Sequence, residues 1–437
     1  MYINNSQLEN IPVSDNRLVI VDWASLAYHQ LHALNSKFKT ARVVEFDTPE
    51  DELRVWKSGM LSKMLRYIKL FNPKDILLSK EGSKVWRSDF VKEWYNDRAT
   101  VAYDNTGFYL RYDNFLYKFY KDSSGDIITE KLDVVKDLEL VPDNAKLLKD
   151  MPQRIQQMCW TDILPRYKGT RSKSEWPFLI DKAVWRDYKE TFADELGKVF
   201  RSHVVGHVEA EGDDVIYVGM NHWSKKYDSI VLITRDSDLN QLKSNPKLMI
   251  FNHVKEEFVE CQNPTTFTEC KILSGDKADN INGMAIPGKK MQVGAKGATK
   301  LFESTGNIYA KAQDDGWDEQ YLRNQKLIDL NYIPTHIQRE IVESLDSSTP
   351  ELCAVEEIYA MGYNEKIAQE VTTMKNVGYY VLNTKEYLES HPDLFNKDML
   401  KIDNSKAEKE FKKAVTPKRE FGDYGSLFNV PLDGDLF

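Results

Sequence analysis

Cysteine is scarce in this chain. There are four in 437 residues, at Cys159, Cys261, Cys270 and Cys353, and no two form a CxxC pair. That spacing excludes a disulfide scaffold, argues against a zinc site and fits reduced thiols in a cytoplasmic protein. Long apolar runs are missing too: nothing approaches the roughly 20 residues that a membrane span requires. The first residues, Met1-Tyr2-Ile3-Asn4-Asn5, lack the basic-then-apolar plan of a signal peptide. The expectation is a cytoplasmic protein with no membrane partner. Nor is there an excess of basic charge. The net charge of −9 speaks, taken alone, against nucleic acid. The length allows about two or three domains, and 41% hydrophobic with 29% charged residues fits a soluble globular chain with a core.

What is present is a set of carboxylates placed where strands end or helices begin. Asp22 closes the apolar run Leu18-Val19-Ile20-Val21. Glu211, Asp213 and Asp214 stand in Glu-Gly-Asp-Asp. Asp236 and Asp238 follow the run Ile230-Val231-Leu232-Ile233, and Asp276 and Asp279 stand in Gly-Asp-Lys-Ala-Asp-Asn. Singly each has an ordinary reading. An acid after a strand is often a cap or turn residue, and acids in a first helical turn satisfy the helix dipole. Together they are harder to dismiss, because converging carboxylates repel unless cations neutralise them. Hard divalent cations such as Mg²⁺ take oxygen ligands, and two of them can hold a phosphodiester for in-line attack. The reading is a metal-dependent nuclease.

The charge balance is uneven in a way that supports this. Arg166-Tyr167-Lys168-Gly169-Thr170-Arg171-Ser172-Lys173 carries bases and no acid, as does Gly288–Leu301 with Lys289, Lys290, Lys296 and Lys300. These are either solvated loops or patches that grip phosphate. In Val293-Gly294-Ala295-Lys296-Gly297-Ala298-Thr299-Lys300, glycines open a helix beside lysines. That pattern lets backbone N–H groups approach phosphate. It reads either as a helical hairpin that holds duplex backbone without reading sequence or as a simple turn at a helix start.

The organisation is expected to be α/β, a mostly parallel central sheet flanked by helices. Strands are expected at 17–22, 75–79, 204–208 and 229–234, and helices at 49–71, 86–95, 176–200, 211–226 and 266–273. In such sheets the ligand lies beyond the carboxyl ends of the strands. Residues 98–160 break the pattern. Tyr103, Phe108, Tyr109, Tyr112, Phe115, Tyr117, Phe119 and Tyr120 crowd one stretch, with Asp122–Asp126 as a turn. This reads as a β-ribbon insertion whose aromatics either pack on one another and the body or stack on unpaired bases. The expected division is a core at 1–97 and 161–265, the insertion at 98–160, a helical domain at 266–345 and a helical extension at 346–437 with an unstructured end.

In order, Asp22, Glu-Gly-Asp-Asp at 211–214, Thr-Arg-Asp-Ser-Asp at 234–238, Gly-Asp-Lys-Ala-Asp-Asn at 275–280 and the Gly-Ala-Lys-Gly helix start strongly resemble the flap endonuclease / 5′→3′ exonuclease superfamily. Lys84–Phe90 resembles the segment leading into that family's arch, and Leu327–Pro334 the end of its helical domain. The likeness covers about 17–345 outside the insertion.

The resemblance implies a PIN-like 5′-nuclease core with a duplex-binding helical hairpin. It implies one metal site of Asp22, Glu211, Asp213 and Asp236 and a second of Asp238, Asp276 and Asp279, with Asp214 bound directly or through water. Arg87, Lys168 and Arg171 would hold the scissile phosphate and Tyr167 would stack on a terminal base, with Lys173 nearby on the nucleic acid. Gly294, Lys296, Gly297 and Lys300 would hold the duplex, with K⁺ a candidate there. The cofactor implied is a pair of Mg²⁺ ions, with Mn²⁺ as a substitute. The implied activity is hydrolysis near 5′ ends or flaps of DNA or RNA–DNA duplexes, as in primer removal during phage replication.

The chain departs from the family in one place. Where the family has an Asp after the second strand, it reads Ser79-Lys80-Glu81-Gly82: either Glu81 reaches in its place or that ligand is missing. Two segments, 94–98 and 166–173, compete for the arch. The end of the chain carries Leu427-Phe428 and Leu436-Phe437 in an acidic segment, either a docking element for a sliding clamp or single-stranded DNA-binding protein, or a tail with no partner. Rival readings are a non-catalytic DNA-structure-binding protein on the same fold and a 5′ exoribonuclease.

Overall fold

The computed structural model describes residues 11, 14–41, 46–113, 115–132, 137, 139, 141–169, 176–261, 263–286, 292–350, 358 and 371. These fall into two compact units. The first draws on Met1–Ser83, Glu175–Cys261 and the chain from Thr335; the second on Lys84–Ser174 and Gln262–Pro334. The division differs from the expected one in three respects, the first being that residues 84–97 and 161–174, expected in the core, fall in the second unit. The insertion clusters with the helical segment rather than standing alone, and the helix beginning at Thr335 clusters with the sheet. The expected extension beyond 350 lies almost wholly outside the described residues.

The first unit is built on a six-stranded sheet. Its strands are β1 (Arg17–Asp22), β2 (Asp75–Ser79), β8 (His203–Val205), β9 (Ser229–Thr234), β10 (Leu248–Asn252) and β11 (Glu257–Val259), in the order β11-β10-β9-β1-β2-β8. All neighbours pair in parallel except β10 with β11. Leu18, Ile20, Val21 and all of Ile230–Ile233 are wholly buried. A strand covered on both faces reads as a continuous apolar run, which is why β1, β2 and β9 occupy the expected residues.

The helices follow from capping and stripe. Helix α1 (Trp23–Ala41) leaves β1 without a loop. Helix α2 (Pro49–Phe71) opens with Thr48 accepting from the Asp51 N–H and Pro49 in the first turn; it stops at Asn72, whose left-handed φ of 43° precedes Pro73. Its buried Glu52 accepts the N–H groups of Leu179 and Ile180 at 3.0 and 3.1 Å. Helices α5 (Lys182–Val199), α6 (Gly212–Trp223) and α11 (Thr335–Ser347) complete the unit. Trp23, Trp56, Trp185 and Phe192 interlock across α1, α2 and α5 with ring centroids 5.1–6.4 Å apart.

β1 connects to β2 on one side, while β9 returns to pair on the other. The reversal falls between β1 and β9, so the crevice beyond their carboxyl ends is the place where such a sheet binds a ligand.

The second unit holds an antiparallel sheet. Its strands are β3 (Thr100–Asp104), β4 (Gly107–Tyr112), β5 (Phe115–Lys121), β6 (Ile127–Leu132) and β7 (Lys146–Leu147), in the order β6-β5-β4-β3-β7. It packs with helices α3 (Trp86–Arg98), α4 (Gln153–Asp162), α7 (Pro264–Ser274), α8 (Ala295–Ser304), α9 (Ile308–Asp315) and α10 (Asp318–Ile328). Tyr109, Tyr112, Phe115 and Phe119 are buried, so these aromatics pack; Tyr103 is 44% exposed. The buried Arg323 of α10 pairs with Asp113 and donates to the Tyr95 hydroxyl at 2.6 Å. A buried pair holds two segments firmly, because either partner left alone would be an uncompensated buried charge. This explains why the insertion belongs with the helical segment.

Candidate active site

In the first unit Asp22 sits at the end of β1, 4% exposed. Its Oδ2 accepts from Thr234 Oγ1 at 2.6 Å and its Oδ1 from the Ser25 N–H at 3.1 Å. Burial pushes the carboxyl up to about 6; the Thr234 and Ser25 hydrogen bonds oppose this, while the charges of Asp236 and Glu81 push the same way. Three expected acids therefore feel one another. Thr234 Oγ1 also accepts the Asp236 N–H at 2.9 Å, and Asp236 Oδ1 accepts the Asp238 N–H at 2.8 Å. Thr234 thus links the ends of β1 and β9, a role hidden in the sequence because threonine in a strand reads as an ordinary β-former.

Glu211 is the N-cap of α6 and forms a capping box with Asp214, whose Oδ2 accepts the Glu211 N–H at 3.0 Å. Asp214 is wholly buried, Glu211 is 7% exposed, and Asp213 between them is partly exposed. On β2 the residue in register with Asp22 is Ser79, which is buried and donates to the Val21 carbonyl at 3.1 Å. The family's acid after the second strand has no carboxylate at that register; the nearest in sequence is Glu81. Glu81 lies beside the start of α6, its Cγ 3.8 Å from where a Cβ on Gly212 would stand. Among the described residues no three His, Cys, Asp or Glu side chains close round a single metal position. The donor set nevertheless fits a hard cation. It is all oxygen, and Asp22 is a buried carboxyl beside two like charges, which an ion would relieve.

The second unit holds the other acids. Asp276 and Asp279 occupy the turn between α7 and the bridge that pairs Asp276 with Ile281. Asp276 Oδ1 accepts from the Ala278 N–H at 2.8 Å and Oδ2 pairs with Lys271 at 2.9 Å. Burial raises its pKa, but Lys271 and the backbone donors outweigh it and hold the carboxyl below its ordinary value. Asp279 Oδ2 accepts the Tyr167 hydroxyl at 3.0 Å, its carbonyl accepts the Lys168 N–H at 2.9 Å, and Asn280 donates to the Arg166 carbonyl at 2.9 Å. Lys168 adopts a left-handed φ of 56° to make this turn. Residues 112 apart in sequence are thereby stapled, bringing Tyr167 and Lys168 onto the acidic turn.

One expected residue stands elsewhere. Arg87 is 2% exposed, its Nε donates to the Leu327 carbonyl at 3.0 Å and its guanidinium lies over the Trp86 ring. This corrects the expected phosphate contact: the guanidinium is packed at the end of α10. Arg171 and Lys173 lie outside the described residues, as do Lys289 and Lys290.

The hairpin lysines and glycines open α8. Gly294 is its N-cap, and Gly294, Lys296, Gly297 and Lys300 are exposed. A Cβ on Gly294 would meet nothing within 4 Å, and one on Gly297 only Val293 at 3.5 Å. The chain's own packing does not require either glycine.

No family profile matches the chain. It is 27% identical over 201 residues to ribonuclease H of Enterobacteria phage T4, covering 43% of this chain and 65% of that protein. It is 29% identical over 200 residues to a 5′-3′ exonuclease of Mycoplasmopsis pulmonis, covering 41% and 64%. The chain thus spans just under two thirds of the length of each relative. Among solved structures, the T5 D15 protein co-crystallised with metal ions overlays with a TM-score of 0.44 at 15% identity, covering 76% of this chain and 98% of that one. By sequence the chain is similar to these two relatives, which is consistent with the flap endonuclease / 5′→3′ exonuclease superfamily.

Proposed function

We propose that the protein is a divalent-metal-dependent 5′→3′ nuclease that hydrolyses phosphodiester bonds near 5′ ends of DNA or RNA–DNA duplexes, flaps included, and removes primers during phage DNA replication in the host cytoplasm. The carrying observation is Asp22, a carboxylate buried at the sheet's switch point with Asp236 and Glu81 close enough to raise its pKa. The relatives named ribonuclease H and 5′-3′ exonuclease support the reaction class.

In this reading Asp22, Glu211, Asp213 and Asp236 hold one Mg²⁺, and Asp238 in the first unit and Asp276 and Asp279 in the second are further carboxylates for metal, with Mn²⁺ as a substitute. The ions would lower the pKa of a water and offset charge on the phosphoryl oxygens. The chain's own work is positioning. Thr234 and Ser25 orient Asp22, and the Asp214 cap holds Glu211 and Asp213 at the start of α6. Lys168, with Arg171, meets the charge that develops on the phosphate. Tyr167 stands by the entering strand. The exposed backbone at Gly294 and Gly297, flanked by Lys296 and Lys300, takes duplex phosphates, with K⁺ as a helper. The segment 424–437 docks on a sliding clamp or single-stranded DNA-binding protein.

The test is a product ladder from 5′-flap, nicked and RNA–DNA substrates with and without Mg²⁺, run beside Asp213→Asn. The variant is expected to keep duplex binding and lose cleavage; wild-type cleavage by Asp213→Asn would refute the metal assignment. Ser79 in register with Asp22 favours a second reading, a non-catalytic binder of duplex ends. Absence of metal-dependent cleavage on all three substrates, with binding retained, would establish it.

A further inference from the structure

Lys189 is among the largest wholly buried side chains of the protein. It belongs to the apolar stripe of α5 with Trp185, Phe192 and Leu196. Its ammonium reaches Glu81 Oε2 at 3.1 Å and Glu190 Oε1 at 2.8 Å. It lies 5.3 Å from the Tyr28 ring centroid and 5.9 Å from that of Trp185. Its carbonyl accepts the Trp23 indole N–H at 3.1 Å, one residue past Asp22. Burial alone would lower the ammonium's pKa; the two glutamates outweigh that and raise it above its ordinary value.

Glu81 is pinned where this lysine can reach it. On one side the Lys80 N–H donates to the Val205 carbonyl at 2.8 Å, and on the other the Gly82 N–H donates to the Ala210 carbonyl at 2.8 Å. A Cβ on Gly82 would stand 2.3 Å from the His207 carbonyl oxygen and 2.5 Å from that of Val208, so only glycine fits the close approach of the two loops. The Glu81 carboxylate thus has a countercharge that is part of the chain, on the side away from bulk water.

We propose that Lys189 is a resident counter-cation of the acid site: it keeps Glu81 as its own ion partner and out of the metal's ligand set. The inference rests on the metal-dependent reading of that site. It assigns Lys189 a positioning role. It also leaves the ligands at the sheet to Asp22, Glu211, Asp213 and Asp236, with Ser79 and Glu81 both excluded.

The test is Mn²⁺ titration of the full chain, by calorimetry or by the free-ion spin-resonance signal, together with thermal melting. Glu81→Gln is expected to bind Mn²⁺ with the wild-type stoichiometry and an affinity within about twofold. Removal of a true ligand or of its orienting partner costs about tenfold or more, and such a loss would overturn the proposal. Lys189→Met removes this ion pair of Glu81, beside Asp22. It is expected to bind Mn²⁺ more tightly than wild type and to melt lower without metal, with Mn²⁺ restoring most of the difference. A variant that folds and binds Mn²⁺ no better than wild type would count against the idea. If Lys189→Met does not fold, the double variant Lys189→Met/Glu81→Gln removes both charges and is expected to keep wild-type Mn²⁺ affinity; weaker binding there would refute the assignment. Wild-type protein that binds no Mn²⁺ overturns the metal reading and this inference with it, whereas sensitivity to Glu81→Gln overturns this inference alone.

Discussion

Asp22 and Asp276 carry the same group into opposite surroundings. Asp22 is buried at a sheet end with like charges near it, and its carboxyl is pushed up to about 6. Asp276 is paired with Lys271 and two backbone donors, and is held below its ordinary value. The first is a site of stored repulsion that a cation would relieve. The second is already neutralised, and its acid is part of what shapes the turn that holds Tyr167 and Lys168. Acids alike in sequence therefore differ in what removing them should do.

The largest expected effect is on catalysis. Asp22→Asn should lower cleavage on the order of a thousandfold, the several kcal/mol that a lost metal ligand represents. In the metal-free protein it should raise thermal stability at pH 7, because a buried charge is removed and Thr234 Oγ1 can accept as well as donate. Asp276→Asn should do the reverse to stability. It removes the ion pair with Lys271, a side chain 18% exposed, and should lower stability by about 2 kcal/mol in denaturant unfolding at pH 7. If Asp22→Asn destabilises the metal-free protein as much as Asp276→Asn does, the contrast fails.

The two acids also give stability opposite slopes with pH. The native state holds a proton on Asp22 up to about pH 6, whereas the ordinary value is 3.8. Between those limits the native state binds more protons than the unfolded one, so metal-free stability falls as pH rises, by on the order of 3 kcal/mol in total. For Asp276 the depressed value means that stability is present above about pH 4 and is lost as the pH falls further. Metal-free melting scanned from pH 3 to 8 should pass through a maximum at mildly acidic pH. Saturating Mg²⁺ should remove the decline above it, and a flat profile in Asp22→Asn would tie that decline to this residue.

How much of this the sequence discloses depends on range. β1, β2, β9 and α2 are legible because an unbroken apolar run, or a capped stripe ending in Asn72-Pro73, states the element locally. β8 is shorter than the expected 204–208, because Gly206 and the residues after it turn to meet Lys80 and Gly82. α5 begins at Lys182 rather than 176, because Asp181 caps it by accepting from the Ala183 and Val184 N–H groups. Helix α4 inside the insertion gives little signal, since Gln153–Asp162 opens on Pro152 with no side-chain cap. At the site, the acid clusters are visible as motifs, yet their partners are not. Thr234, Lys189 and Lys271 act through contacts that only the folded chain creates. Lys189 alone leaves a local trace, a charged residue in an apolar helical stripe. Arg87 misleads for the same reason in reverse: its sequence neighbours resemble the family's arch, while its burial is decided by α10, far along the chain.

The smallest effect tests the hairpin. Gly297 lies inside α8 and is exposed, and a Cβ there would make only ordinary contact with Val293. Alanine relieves the backbone entropy that glycine costs a helix, so Gly297→Ala should stabilise the protein by about 0.5–1 kcal/mol. If backbone N–H groups at this turn approach phosphate, the added methyl must stand between them and the duplex. The same change should then weaken duplex binding several-fold. Replacing Lys296 with Gln should weaken binding on all sequences alike and reduce the slope of log affinity against log salt by about one. Stability rising while binding falls is the signature of a glycine kept for a ligand. Stability and binding both rising in Gly297→Ala would show that the helix start is an ordinary turn and that the duplex is held elsewhere.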